Sequence, residues 1–164
     1  MNIEAQKMDP REMYHFMNSI IIPRPIAWVS TISKSGISNI APHSYFNIVT
    51  ANPPIIAFST VGLKDTYRNI SETGEFVINV VDEHNVEKAN ASSERFPPEV
   101  SEFTRVGLTE LQSISVQPPR VGESPISLEC KVYKVLEIPP TPTFHILGEI
   151  VHIHVQDEMF INGR

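Results

Sequence analysis

Cysteine is nearly absent. The 164-residue chain has one, Cys130, so no intrachain disulfide can form and no oxidising compartment is needed. Clustered cationic charge is missing too. The formal net charge is −6 and no block of Lys and Arg stands out. That argues against nucleic acid as the main partner, because a phosphate backbone calls for grouped basic residues. One small phosphate still lies within the means of a few local donors. No apolar run approaches the roughly 20 residues that cross a bilayer, so no membrane span is expected. The N-terminus has no charged segment leading into a long apolar one, so no signal peptide is read and a cytoplasmic location is expected. Catalytic signatures are sparse. There is no G-x-S-x-G, no acidic pair placed for glycoside hydrolysis, no G-x-G-x-x-G and no Walker loop. A dinucleotide, if one is used, is not held by a Rossmann unit.

What the chain has in quantity is proline. Fourteen prolines favour short strands and defined loops over a helical bundle. The composition, 41% hydrophobic and 20% charged, fits one domain, residues 1–164, with one sizeable core.

Asp9 is placed to cap a short helix with Pro10 at its first position. Residues 26–33 read as a strand, with Ile26, Trp28 and Ile32 on one face and Ala27, Val29 and Thr31 on the other. Lys34-Ser35-Gly36 signals a hairpin turn. Residues 38–48 read as irregular around Pro42. Residues 55–60 and 75–81 read as two more strands. Between them a loop leads into a short helix, capped by Asp65 or Thr66 and ended by Gly74. Residues 83–105 read as mostly exposed helix broken at Pro97-Pro98. Ile126, Leu128, Cys130, Val132, Leu136 and Ile138 share one phase of a long strand, and residues 144–155 form another. About six strands without a βαβ rhythm point to a mainly β, antiparallel barrel with short peripheral helices.

The loop at Lys64-Asp65-Thr66, with Asn69, admits two readings. A helix N-terminus offers free N–H groups and a favourable dipole to an anion, with Lys64 adding charge and Thr66 a hydroxyl. Alternatively it is an exposed loop with an ordinary cap. Ser30, Thr31, Asn39, Ser44 and Ser59 lie at or near strand ends, where small polar groups can meet a ring with carbonyls and nitrogens. Each, taken singly, also fits turn chemistry. His152 and His154 share one face of the last strand. With only Asp157 nearby as a third ligand, a surface or interface pair is preferred to a metal site. His145 falls on the opposite face. His43 is the histidine nearest the proposed site. Cys130, in an apolar phase, reads as a buried inert thiol rather than a nucleophile. No residue is singled out as catalytic.

The order of these segments is more specific than any one of them. R-P-I-A-W-V-S-T at 24–31, G-x-x-N-x-A-P-x-S-x-F at 36–46, P-P-x-x-x-x-S at 53–59, K-D-T-x-x-N-I at 64–70 and E-F-V-I-N at 75–79 resemble the flavin reductase-like family of FMN-binding split barrels. The likeness continues more loosely through P-I-S-L-E-C at 125–130 and L-G-E-I-V-H-I-H-V at 147–155. The resemblance implies a six-stranded antiparallel split barrel of Greek-key type, a homodimer, and FMN (or FAD) near the subunit interface. It places Ser30 and Thr31 beside the flavin. It sets Asn39, Ser44 and Phe46 along the isoalloxazine and ribityl chain, and Ser59, Lys64, Asp65, Thr66 and Asn69 around the phosphate. It also implies a further C-terminal tail beyond Asn162-Gly163-Arg164. The activity implied is hydride transfer from NADH or NADPH to flavin N5, with reduced FMN passed to an oxygenase or another acceptor. The alternatives are an FMN-binding electron carrier without a nicotinamide site, and a non-redox binding barrel.

Overall fold

The computed structural model describes residues 2–160; the Asn162-Gly163-Arg164 element lies outside them. The first helix, α1 (Pro10–Ile20), starts as its sequence dictates. Asp9 Oδ1 accepts from the N–H groups of Arg11 and Glu12 at 2.9 and 3.4 Å, and Pro10 sits where no N–H is needed.

Seven strands form one antiparallel sheet, where about six were expected. They are β1 (Ala27–Ile32), β2 (Ser38–His43), β3 (Phe46–Ala51), β4 (Pro54–Val61), β5 (Glu75–Val80), β8 (Ile126–Ile138) and β9 (Thr143–Val155), in the order β2-β1-β5-β8-β9-β4-β3. A two-residue ribbon, β6 (Glu110–Leu111) with β7 (Arg120–Val121), stands apart. The short helices α2 (Asp65–Thr73), α3 (Val86–Ala91) and α4 (Glu102–Val106) lie between the strands, and single 3₁₀ turns sit at Ala5–Lys7 and Asp157–Met159.

The segment 38–48 is not irregular: β2 and the first half of β3 occupy it. Pro42 hid the strand, yet it is tolerated because β2 is an edge, where a missing N–H costs no ladder bond. The stretch 83–105 is less exposed than its polar composition suggests. Ala89, Ser92, Glu102 and Phe103 are buried against the sheet. On β8 the expected apolar phase is buried at Cys130 but exposed at Leu136 and Ile138. Register shifts at 129–130 and 132–134 break its alternation, so Glu129 is buried as completely as Cys130.

Two apolar clusters hold the sheet. One packs Ala27, Val29, Ile56, Phe58, Phe76, Ile78, Cys130 and Ile146 with Ile70 of α2. The other sets Trp28 and Ile40 against Ala89 of α3, Phe103 of α4 and Val121. Strand β1 is therefore buried on both faces, and the indole N–H of Trp28 bonds Ser92 Oγ at 2.9 Å. Gly148 gives the first cluster its tightest contact. A Cβ there would lie 2.2 Å from Phe76 Cζ, so only glycine lets that ring cross.

Candidate functional site

A groove of about 1000 Å³ opens where the ends of β2 and β4 meet the N-terminus of α2. The turn His43-Ser44-Tyr45 and the run Ser59-Thr60-Val61 form its floor. Pro10 and Tyr14 of α1 stand on one side, and residues 92–96 with Glu102 on the other. Helix α1 is held in place through Asn18, whose Oδ1 accepts from Tyr45 Oη at 3.2 Å and from Arg24 Nη1 at 2.5 Å.

The N-terminus of α2 is the electropositive end. Its cap is Lys64, rather than Asp65 or Thr66, and Lys64 makes no side-chain capping bond. The first N–H groups of the helix therefore face the groove without a side-chain partner. Among the described residues no carboxylate lies within ion-pair distance of Lys64. Asp65, in contrast, is taken by Arg68 at 2.8 Å. Behind the groove a buried polar cluster fixes this end of α2. Asn39 Nδ2 donates to Thr31 Oγ1 at 3.1 Å and Thr66 Oγ1 at 3.3 Å, and Asn69 Nδ2 donates to Thr31 Oγ1 at 3.0 Å. Ile70 in the core and Tyr67, stacked on Phe144 at 3.6 Å, anchor the rest of the helix. Gly74 ends it at φ 71°, as its sequence position predicts.

The structure thus gathers Asn39, Ser44, Ser59, Lys64, Asp65 and Thr66 around one groove. Thr31 and Asn69 sit directly behind, in the polar cluster. Ser30 does not join them. Successive strand residues face opposite ways, and Ser30 Oγ donates instead to the Pro119 carbonyl at 2.5 Å and accepts from Asn79. Phe46 packs against the core cluster. The Ser59 hydroxyl pairs across the strands with His145 Nδ1 at 2.9 Å.

Two groups in the groove carry unusual electrostatics. Burial, reinforced by the charge of Lys64 and opposed by a backbone hydrogen bond to Ser59, lowers the pKa of His43 to about 4. Its imidazole is neutral at physiological pH. Burial, with the nearby charge of Asp65 adding to it, raises the pKa of Glu102 above the usual carboxylate range; backbone N–H bonds, one of them from Ile40, pull the other way.

His43 Nε2 and Thr60 Oγ1 are the two buried side-chain polar atoms without a hydrogen-bond partner among the described residues, and both residues line this groove. Buried polar atoms are seldom left unpaired, so these two are exceptions in the lining of the groove. Sequence reading passed over Thr60 and Glu102. Thr60 had a signal: it shares the inward phase of Ile56 and Phe58, where a polar residue is the informative exception. Glu102 had none, since only the packing of α4 on β2 brings it to the groove.

The other histidines and the thiol do different work. His154 Nε2 bonds the buried Glu129 at 2.6 Å, and no cluster among the described residues can hold a metal ion. Burial, with the Glu129 charge adding to it, pushes the Cys130 thiol far above its ordinary pKa and leaves it inert. No helix among the described residues is long and apolar enough to cross a membrane.

Comparison with known proteins places this fold and its groove. Residues 17–163 match the flavin reductase like domain, and the chain belongs to that family. An uncharacterized protein of Aquifex aeolicus is 43% identical over 163 residues, covering 96% of this chain and 82% of its own length. Among solved structures, nitrilotriacetate monooxygenase component B from Bacillus cereus superposes with a TM-score of 0.96 at 34% identity, covering 100% of this chain and 85% of its own. The 2-nitrobenzoate 2-nitroreductase NbaA of Pseudomonas fluorescens gives 0.92 at 31% identity, covering 99% and 80%.

Proposed function

We propose that the chain is an NAD(P)H-dependent flavin reductase that holds FMN in the groove and supplies electrons to an oxygenase component or another acceptor. The carrying observation is the pairing of an anion-ready helix end, Lys64 with the free N–H groups of α2, with orphaned polar atoms farther along the same groove. A phosphate at one end and a polar ring system at the other fit that arrangement. Family membership and the likeness to a monooxygenase component B support the reductase reading.

Lys64, Thr66 and the α2 N–H groups would hold the phosphate. Asn39, Thr31 and Asn69 would keep that helix end in position. Ser44, Ser59 and Asp65 would line the ribityl chain and ring, while Ser30 and Phe46 would support the strands beneath. When bound, FMN supplies the N5 position that takes a hydride from the C4 of reduced nicotinamide, with a solvent proton completing the two-electron reduction. The protein's residues then need only to orient the rings and exclude water. Helix α1 buries none of its residues, and Tyr14, Met17 and Ile20 are more than two-fifths exposed. That uncovered apolar flank beside the groove supports a homodimer, which we place in the cytoplasm.

Titration of the purified protein with FMN, read by absorbance and fluorescence, tests the cofactor. Stopped-flow mixing with NADH and with NADPH tests the reaction. Saturable uptake followed by rapid bleaching of the bound flavin is expected. Uptake without bleaching would leave an electron carrier, and no uptake would end the flavin reading.

A further inference from the structure

The groove does not stop at the anion-ready end of α2. Beyond it lies a second cavity of about 420 Å³, and the two share Asn39, Asp65, Arg68 and Glu102 in their linings. We propose that this second cavity binds the adenosine end of a dinucleotide, a neutral ribonucleoside joined through phosphate to the part held in the groove. This assignment rests on the flavin reading and says how far the ligand of that site extends.

The cavity begins where a phosphate would sit. Asp65, Arg68, Asn69 and Glu72 are spaced i, i+3, i+4 and i+7 from the first turn of α2, so one face of the helix forms a side of the cavity over about 10 Å. The turn after β1, at residues 33–37, and the stretch 98–102 form the other sides. A group attached to a phosphate at the helix N-terminus thus enters along α2. The volume falls within the range of small-molecule sites, about 300–1000 Å³.

The lining favours a neutral group rich in hydroxyls. Asp65 and Arg68 offset each other at 2.8 Å. That leaves three carboxylates, Glu72, Glu99 and Glu102, against one cation, Lys34, with none of the four in an ion pair among the described residues. A further phosphate would meet an excess of negative charge. Glu102 is the residue best placed to read the ligand. It is 7% exposed, and its Oε2 accepts from the Ile40 N–H at 3.3 Å. Its Oε1 bonds no other residue among the described ones, yet it is not sealed from solvent. An acceptor left open at the junction of two cavities calls for a donor. Ribose hydroxyls are such donors, and an acidic side chain on a ribose hydroxyl is a common way to hold the adenosine of a dinucleotide. Two molecules suited to the proposed reaction end in adenosine: FAD in place of FMN, and a nicotinamide dinucleotide bound beside FMN.

The experiment compares binding constants of wild type, Glu102→Gln and Val100→Trp. Val100 lines the second cavity and not the groove, so the new ring fills the one and spares the other. The first arm titrates each protein with FMN and with FAD. The second titrates FMN-loaded protein with NAD⁺, with NADP⁺ and with nicotinamide mononucleotide, which lacks the adenosine. If the adenosine belongs to the flavin, wild type prefers FAD to FMN by about tenfold, Val100→Trp abolishes the preference and Glu102→Gln reduces it. If it belongs to the nicotinamide dinucleotide, the two flavins bind alike, and FMN-loaded wild type prefers NAD⁺ by a similar factor to both the mononucleotide and NADP⁺, again lost in Val100→Trp. Wild type that takes up FMN yet shows neither preference overturns this inference and leaves the flavin reading standing. So does a preference that Val100→Trp leaves intact, or a Glu102→Gln variant that weakens FMN and FAD equally, which would put the carboxylate on the ribityl chain. Wild type that takes up neither flavin overturns both readings. Ile37→Trp fills the same cavity from the opposite side and replaces Val100→Trp if that variant does not fold.

Discussion

Glu129 on β8 accepts a hydrogen bond from His154 of β9 at 2.6 Å, and the same carboxylate, fully buried, also accepts from the N–H groups of Ile114 and Ser115 at 2.8 and 2.6 Å. One acid thus ties the loop between the two-residue ribbon strands to the centre of the sheet. Glu129→Gln offers a single acceptor oxygen where the carboxylate had two, and it turns an NH₂ toward one of the donors. The substitution should cost on the order of 2 kcal/mol, read by urea unfolding.

The pH dependence of stability should fall into two windows. Burial alone would raise the pKa of Glu129, but the hydrogen bonds from Ile114, His154 and Ser115 outweigh it and hold it below the ordinary carboxylate value. The stability it contributes is complete above about pH 4.3, the unfolded value, and is lost as pH falls through the folded one. His43 works higher. Its folded pKa of about 4 lies below the ordinary 6.5, so the unfolded chain takes up a proton first and stability drains as pH falls from 6.5 toward 4. Melting temperatures from pH 8 to 3 should show His43→Leu flattening the upper window and Glu129→Gln the lower. A single unchanged slope in both variants would contradict the assignment.

Lys64→Ala should weaken FMN binding about tenfold while leaving the melting temperature nearly unchanged. The side chain is exposed and packs on nothing in the core, so its loss removes charge from the groove and little else. Unchanged FMN affinity would contradict the phosphate assignment.

Gly148→Ala should destabilise by about 1–3 kcal/mol. Its new methyl group would meet Phe76, which is fully buried and set edge-on against Phe58 at 5.5 Å, so the ring has nowhere to swing. Adding Phe76→Leu should recover part of the loss, and a chemical-denaturation cycle on the single and double variants measures the coupling.

Asn79→Ala should cost on the order of 3 kcal/mol. The side chain is fully buried and donates to the Trp28 carbonyl and Ser30 Oγ at 3.0 and 3.1 Å, while accepting from Val121 N–H and Ser127 Oγ, each at 2.9 Å. An FMN titration of the variant should show affinity changing far less than stability, because these bonds lie away from the groove.

The long strands and the loop at 64–66 were legible in the sequence because each carries its own local signal. Alternation marks β9, and Gly74 punctuates α2. The edge strand β2 was not legible, because Pro42 and the surrounding Ser and Asn mimic a loop, and the pairing with β1 that makes it a strand is tertiary. The face of Ser30 could have been read from strand alternation, since its neighbour Thr31 must point the other way. Glu129 was hidden by a register shift that no one-residue pattern reveals. The candidate site shows the same division. Lys64 and Thr66 announced themselves through helix-start chemistry, and His43 stood out by proximity, but Glu102 and residues 92–96 reach the groove only because α3 and α4 fold back over β1 and β2.

That last arrangement bears on descent. The floor of the groove and its anion-ready end come from one continuous stretch, residues 39–66, locked into the sheet, whereas the facing wall is a separate stretch, 92–102, fastened to the sheet mainly through Ser92, Ala89 and Phe103. Mutation can therefore rewrite the wall, in length or in charge, without disturbing the floor. A lineage built this way can change what is admitted to the groove one loop at a time while the floor is inherited intact.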